Sequence, residues 1–183
     1  MRLMASGRLV TVRAYMAAHI DPLYAAVLES IPEVGRYETW CRPGYTRTDA
    51  AAYVNWWRDA WTAGTAYYFA IEQRDTGEFL GSCGLSDILA DHRRAGLGYW
   101  MRTLYTGRGY ATDAVRTVLR LGIEDLGLAR VELEIAVDNA ASRRVAEKVG
   151  CTCEAILRRR LILPSGPTDT AMYVWLSGEC PQP

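Results

Sequence analysis

Between residues 131 and 137 the chain alternates: Val131, Leu133, Ile135 and Val137 are apolar, with Glu132, Glu134 and Ala136 between them. That is the period of a strand with one face buried. Helical patterns enclose it. From Gly109 to Leu126, Val115, Val118, Leu119 and Gly122 share one stripe, and Gly127 stands just past the end, where a left-handed residue closes a helix. From Ala140 to Val149 a short helix follows, with Asn139 at its N-cap and Gly150 just beyond it. With a strand over Ala95 to Met101, this late β-α-β-α-β portion predicts one parallel pairing reached by a right-handed crossover.

The earlier part supplies the remaining elements. Leu9, Val10 and Val12 read as a short strand. His19-Ile20-Asp21-Pro22 reads as a helix start, with Asp21 at the N-cap and Pro22 at the first helical position. This helix is expected to run to about Ser30, where Pro32 and Gly35 break the pattern. Arg36-Tyr37-Glu38-Thr39-Trp40 is then a loop, and a second helix begins at Thr48 or Asp49. Ala50, Val54, Trp57 and Trp61 recur along it at helical spacing until Gly64. Residues 67–72 and 79–85 read as strands flanking the turn Asp75-Thr76-Gly77, and two last strands flank Pro164-Ser165-Gly166-Pro167. The sum is about seven strands and four helices in one mixed α/β domain over residues 1–183, without repeat or linker.

Composition narrows the function classes. Half of the 183 residues are hydrophobic and 23% are charged, as in a soluble folded chain. Lys plus Arg and Asp plus Glu number 21 each, so no bulk charge points to nucleic acid or an anionic membrane. Arg158-Arg159-Arg160 could bind phosphate, but reads first as a solvated strand edge. No apolar run reaches the roughly 18–20 residues that span a bilayer, and residues 1–8 lack a signal-peptide stretch. The expected location is cytoplasmic. Five cysteines (41, 83, 151, 153 and 180) make no closed disulfide set, and Cys-x-Cys with only two histidines is a poor metal site. No metal is expected.

Two segments carry chemistry. Gly107-Arg108-Gly109-Tyr110-Ala111-Thr112 joins a strand to the longest helix, where free N–H groups and the positive helix end form a ready anion site. Short Gly-x-Gly turns are common, and this one is neither a Walker loop nor a dinucleotide fingerprint. Asn139-Ala140-Ala141-Ser142 opens the short helix after the alternating strand, and capping alone accounts for either polar residue.

Together the segments resemble the GNAT superfamily of N-acetyltransferases, and within it the RimJ/RimL group that acetylates ribosomal-protein N-termini. The matching stretches are Gly98-Tyr99-Trp100, then Gly107-x-Gly109-Tyr110-Ala111-Thr112-x-Ala114, then Asn139-x-x-Ser142-x-x-Val145-x-Glu147-Lys148-x-Gly150. Leu9-x-x-x-Arg13, the helix at Asp21 and Asp169 extend the likeness over roughly residues 8–176. The resemblance implies a mostly antiparallel twisted sheet, splayed between the strands at 95–101 and 130–137. It implies acetyl-CoA as acetyl donor and an amine acceptor: a protein N-terminus first, then a polyamine, amino acid or antibiotic amine. Relatives are often dimers, so a homodimer is expected too. A coenzyme-binding sensor without turnover is the reading from another class.

Residue by residue, the resemblance has Trp100, Met101 and Arg102 offering backbone groups to the pantetheine arm. Gly107, Arg108, Gly109, Tyr110, Ala111 and Thr112 would hold the pyrophosphate. Asn139 would bond the coenzyme, and Ser142 would sit by the thioester sulfur, a candidate to protonate the leaving thiolate. Tyr37, Glu38, Trp40, His92 and Tyr173 are the acceptor-side candidates, for an acidic and aromatic cleft suits a cationic amine. Trp57 reads first as helix packing. The sequence departs from the group where many relatives carry Glu, at Gly96 and Leu161, and has Gly150-Cys151 in place of Gly-Phe. The general base is therefore unassigned: His92 comes first by its near-neutral pKa, although its polar stretch reads as surface, and Glu38 and Asp87 follow.

Overall fold

Most of the sheet assembles from antiparallel neighbours in the computed structural model, which describes residues 1–178. Strands β1 (Met4–Ser6) and β2 (Val10–Ala14) form a first hairpin, with Ala5 opposite Val12. β2 pairs with β3 (Tyr67–Gln73), β3 with β4 (Phe79–Leu89) and β4 with β5 (Arg94–Met101). The later strands are β6 (Arg130–Ala136), β7 (Thr152–Leu163) and β8 (Gly166–Leu176). The order across the sheet is β1-β2-β3-β4-β5-β6-β8-β7. Among the described residues the one parallel pair is β5 with β6, as the β-α-β pattern requires.

Among the described residues there are eight strands against the expected seven or so. The addition is β1, three residues long and too short to print an alternation; it is recognisable only through its pairing with β2. Cys180 lies outside the described residues. Arg160 sits on β7, the edge strand, paired with Glu134 at 2.9 Å, in keeping with a solvated edge.

Four helices cover the two faces: α1 (Ile20–Val34), α2 (Arg47–Ala63), α3 (Tyr110–Leu126) and α4 (Ala140–Lys148). Val115, Val118 and Leu119 of α3 bury against Val10, Phe69, Leu85 and Val131 on one face. Leu23 and Val27 of α1 and Val54 of α2 bury with Phe79 and Trp100 on the other.

The start of α1 differs from expectation. A 3-10 turn over Ala17–His19 leads straight in, so His19 is the N-cap; Asp21 lies in the first turn, with Arg47 Nε 2.5 Å from its carboxylate. Nor does Pro32 end the helix. Proline removes one N–H, while the Gly35 N–H donates to Ile31 O at 3.1 Å and carries the ladder past it. In α2, Thr46 and Asp49 cap each other reciprocally and Gly64 closes the helix with φ 72°.

No helix of the described residues is long and apolar enough to cross a membrane.

Candidate active site

The parallel pairing of β5 with β6 lasts three residues, from Arg94 opposite Arg130 to Gly96 opposite Glu132. Beyond that the strands part, while β6 stays paired with β8 as far as Ala136 opposite Thr170. A cleft of about 370 Å³ opens in the gap, walled by β5, the start of α3, α4 and the loop after α1.

The split exposes backbone. Arg102 N–H donates to Leu80 O at 2.8 Å. Antiparallel bonding alternates, so Trp100 opposite Ser82 and Gly98 opposite Gly84 also spend their backbone groups on β4. Those of Tyr99 and Met101 point the other way, into the split. Trp100 and Arg102, expected to offer backbone groups here, are thus turned toward β4, and Tyr99 takes that position beside Met101. The Arg102 side chain also points elsewhere, pairing with Glu29 at 2.7 Å and Glu78 at 3.0 Å.

One end of the cleft is the N-terminus of α3. Gly109 is its N-cap with φ 87°, a conformation that glycine adopts without strain, and no side chain caps the helix. The first helical N–H groups, at Tyr110, Ala111 and Thr112, therefore face the cleft as donors at the positive helix end. Asp113 anchors this turn: its carboxylate accepts N–H groups from Arg8, Leu9 and Val10 at 3.1, 2.7 and 3.0 Å. Arg144 and Lys148 of α4 line the same cleft and add positive charge. Gly107 also lines it, whereas Arg108 rests over the Tyr105 ring, 5.3 Å from its centroid.

Across from α3, Asn139 Oδ1 accepts the Ser142 N–H at 3.1 Å and caps α4. The Tyr99 hydroxyl lies 2.7 Å from Ser142 Oγ and donates to Ser142 O at 3.2 Å. Burial pushes the Tyr99 phenol well above its ordinary value, with Ser142 pulling the other way, so it keeps its proton at neutral pH.

The acceptor side is the loop between α1 and α2. Tyr37 N–H and Glu38 N–H both donate to Val34 O, at 3.0 and 2.9 Å, and Cys41 N–H donates to Glu38 O at 3.1 Å. A Cβ on Gly35 would stand 2.4 Å from Cys41 O and 2.5 Å from Ile31 O, so only glycine lets the loop fold back this closely. Tyr37 and Glu38 line the cleft. Trp40 lies behind them, its indole donating to Glu38 Oε2 at 2.9 Å and its ring 5.5 Å from Trp100. Burial pushes the Glu38 carboxyl up to about 7, opposed by the Trp40 indole. Beyond Tyr37 a second cavity of about 460 Å³ lies between this loop and the β7–β8 turn.

Three candidates lie elsewhere. His92 is exposed in a 3-10 turn before β5, at the opposite end of that strand from Met101. Tyr173, 2% exposed, sits on β8 facing α4; its hydroxyl donates to Glu147 at 2.7 Å and accepts from Arg143. Asp87 is exposed on β4 at an irregularity in the strand, with φ 49°. Trp57 packs as expected, stacked on Tyr68 with centroids 3.8 Å apart. Among the described residues no three His, Cys, Asp or Glu side chains gather as metal ligands. Sequence reasoning passed over Arg144 and Lys148, whose spacing of four on one helix was a usable signal, and over the role of Tyr99, whose parity with Met101 on the strand was another.

Fold and cleft define a splayed-sheet α/β domain with an uncapped helix N-terminus and a hydroxyl pair across the split. Residues 9–152 match the acetyltransferase (GNAT) domain, and the chain belongs to that family. It is 34% identical over 105 residues to the uncharacterized N-acetyltransferase YoaA of Bacillus subtilis, a stretch covering 57% of this chain and 59% of YoaA. The ribosomal-protein-serine acetyltransferase of Escherichia coli is 23% identical over 155 residues, 85% of this chain and 86% of that protein. Mycobacterium smegmatis RimJ, solved in complex with a CoA-disulfide, superposes with a TM-score of 0.89 at 24% identity, covering 98% of this chain and 89% of that one. At that identity the likeness speaks for the fold.

Proposed function

We propose that this chain transfers an acetyl group from acetyl-CoA to a primary amine, in a ternary complex, and that the amine is a protein N-terminus. One observation carries the reading: a single cleft joins an open strand edge, an uncapped helix N-terminus and a Tyr–Ser hydroxyl pair. A thioester with a pyrophosphate-bearing handle needs each of them. The N–H groups of Tyr110, Ala111 and Thr112, with Arg144 and Lys148, suit the phosphates. The backbone edge of Tyr99 and Met101 suits an extended amide arm by strand-like bonding.

The reaction is aminolysis. A neutral amine attacks the acetyl carbonyl, negative charge gathers on its oxygen, and a thiolate leaves. A free N–H on the split strand, from Tyr99 or Met101, is the donor available to that oxygen. When Tyr99 donates to Ser142 Oγ, the serine proton is left for the thiolate. Asn139 holds the Ser142 backbone, and its amide NH2 remains for the coenzyme. Tyr37 stands where the cleft meets the second cavity, which has room for the residues that follow an N-terminal amine. The acetyltransferase relatives support this acceptor class, and a homodimer belongs to the same reading; light scattering on the purified chain tests it.

Thiol release from acetyl-CoA, measured across peptides with free N-termini, polyamines and amino acids, tests the function. Turnover on peptides supports it. Turnover confined to small amines moves the acceptor class. Tight coenzyme binding without turnover on any amine makes the protein a sensor, and no coenzyme binding overturns the reading.

A further inference from the structure

Two acids line the cleft, Glu33 and Glu38, and they are held differently. Glu33 is exposed and accepts the Thr103 hydroxyl at 3.1 Å. Glu38 is set into the wall. Its Oε2 takes the Trp40 indole proton at 2.9 Å, while Oε1 takes no hydrogen bond from any described residue. The support beneath it is stiff: Trp40 lies 5.4 Å from Tyr53, 5.5 Å from Trp100 and 6.2 Å from Tyr45, centroid to centroid. The backbone bonds to Val34 and the close approach at Gly35 hold the loop from below.

Resting on the acetyltransferase reading, we propose that Glu38 is the base that accepts the proton of the attacking amine. The bond from nitrogen to the acetyl carbon forms, and the carbon–sulfur bond breaks with its electron pair going to sulfur. The amine proton passes to Glu38 Oε1, directly or through one water. The sulfur takes a proton from the Ser142–Tyr99 pair. That pair is reprotonated from solvent and Glu38 returns its proton there, so the inventory closes.

The surroundings suit the role. Cys41 on its own loop, Tyr53 on α2 and Tyr68 on β3 interact with Glu38, and Glu33, Tyr37, Tyr99 and the α4 cations Arg144 and Lys148 line the same cleft. Burial pushes the thiol of Cys41 and the phenols of Tyr53 and Tyr68 up, so they stay neutral beside it. The cations of the loop, Arg36 and Arg42, line the second cavity, with Arg36 lying over the Tyr37 ring at 5.6 Å. Among the described residues no ion pair holds Glu38 in its charged form. Its carboxyl, pushed up to about 7 by burial, therefore changes state where a base serves an amine at neutral pH.

The test compares wild type, Glu38→Gln and Trp40→Phe by coenzyme A titration calorimetry and by kcat/KM against pH, with a short peptide and spermidine as acceptors. Glu38→Gln should leave coenzyme affinity within about twofold while lowering kcat/KM about 100-fold and erasing an acidic limb near neutral pH. Trp40→Phe removes the donor that favours the carboxylate, so that limb should move to higher pH, with circular dichroism checking the fold. A merely structural Glu38 would leave the limb in place. Wild-type turnover with the limb intact in Glu38→Gln overturns the base assignment alone. A wild type that acetylates neither acceptor, in the full panel as well, overturns the transferase reading and this proposal with it.

Discussion

Ser142 and Tyr99 come from α4 and β5 and meet at 2.7 Å across the split, so each hydroxyl depends on the other for its orientation. A serine hydroxyl is a weak acid by itself. When Tyr99 donates to it rather than to Ser142 O, its proton is free for a leaving thiolate and its lone pairs are stabilised as the proton departs. Ser142→Ala and Tyr99→Phe should each lower kcat by about 10- to 100-fold. Coenzyme A affinity should stay within about twofold, because the donors proposed for the phosphates are on α3. Stopped-time thiol release and calorimetry separate the two quantities. Equal losses in kcat and affinity would assign both side chains to binding. Ser142 and Asn139 stood out in the sequence through the family likeness, since capping alone accounts for either. Tyr99 was visible only as part of Gly98-Tyr99-Trp100; its role needed the alternation of β5 against β4 and the arrival of α4 from 43 residues away.

At the scale of elements, the N-terminus of α3 is fixed from two sides. Gly109 gives the turn its left-handed φ, and Asp113 ties the first helical turn to three N–H groups entering β2. Gly109→Asp introduces a negative charge beside the donors assigned to pyrophosphate. It should cost at least tenfold in coenzyme affinity and about 1 kcal/mol of stability from the disfavoured φ. Gly109→Ala shares the strain without the charge, so a smaller loss of affinity is expected. Calorimetry and urea unfolding measure the pair, and equal affinities in the two variants would remove the phosphate assignment. Asp113→Ala strips three N–H groups of their acceptor and should destabilise the fold by about 1–3 kcal/mol, read from the urea midpoint. The closing glycines of α2 and α3 and both ends of α4 were legible because caps are local chemistry, whereas α2 starts earlier than expected, at Arg47 with Thr46 as its cap. Asp21 and Pro32 misled for the opposite reason: a turn before α1 and the continued ladder after Pro32 outweighed local preference.

For the molecule as a whole, the half-buried Glu38 makes stability depend on pH. The carboxyl ionises near 4.5 when unfolded and at about 7 when folded. Between those values the native state binds more protons, so this group's contribution falls as pH rises through the window and levels off above it. The ionised carboxylate then destabilises the fold by up to about 3 kcal/mol. Glu38→Gln should therefore melt higher than wild type at pH 8, with the difference fading toward pH 4. Thermal unfolding across that range checks it without reference to catalysis, and pH-independent parity would place Glu38 in solvent.

By itself the sequence determined the alternating strand at 131–137, the helices around it and the glycine-bearing turn at 107–109, because periodicity, caps and positive φ are properties of neighbouring residues. It also carried the family likeness. Only the tertiary structure decided where β5 and β6 stop pairing, that Tyr99 rather than Trp100 turns its backbone into the gap, and that His92 and Tyr173 stand away from it. Only the tertiary structure could select Glu38. A carboxyl's proton affinity is set by what removes water from it, and the Trp40 ring bonded to Glu38 is itself held by Tyr53 of α2 and Trp100 of β5.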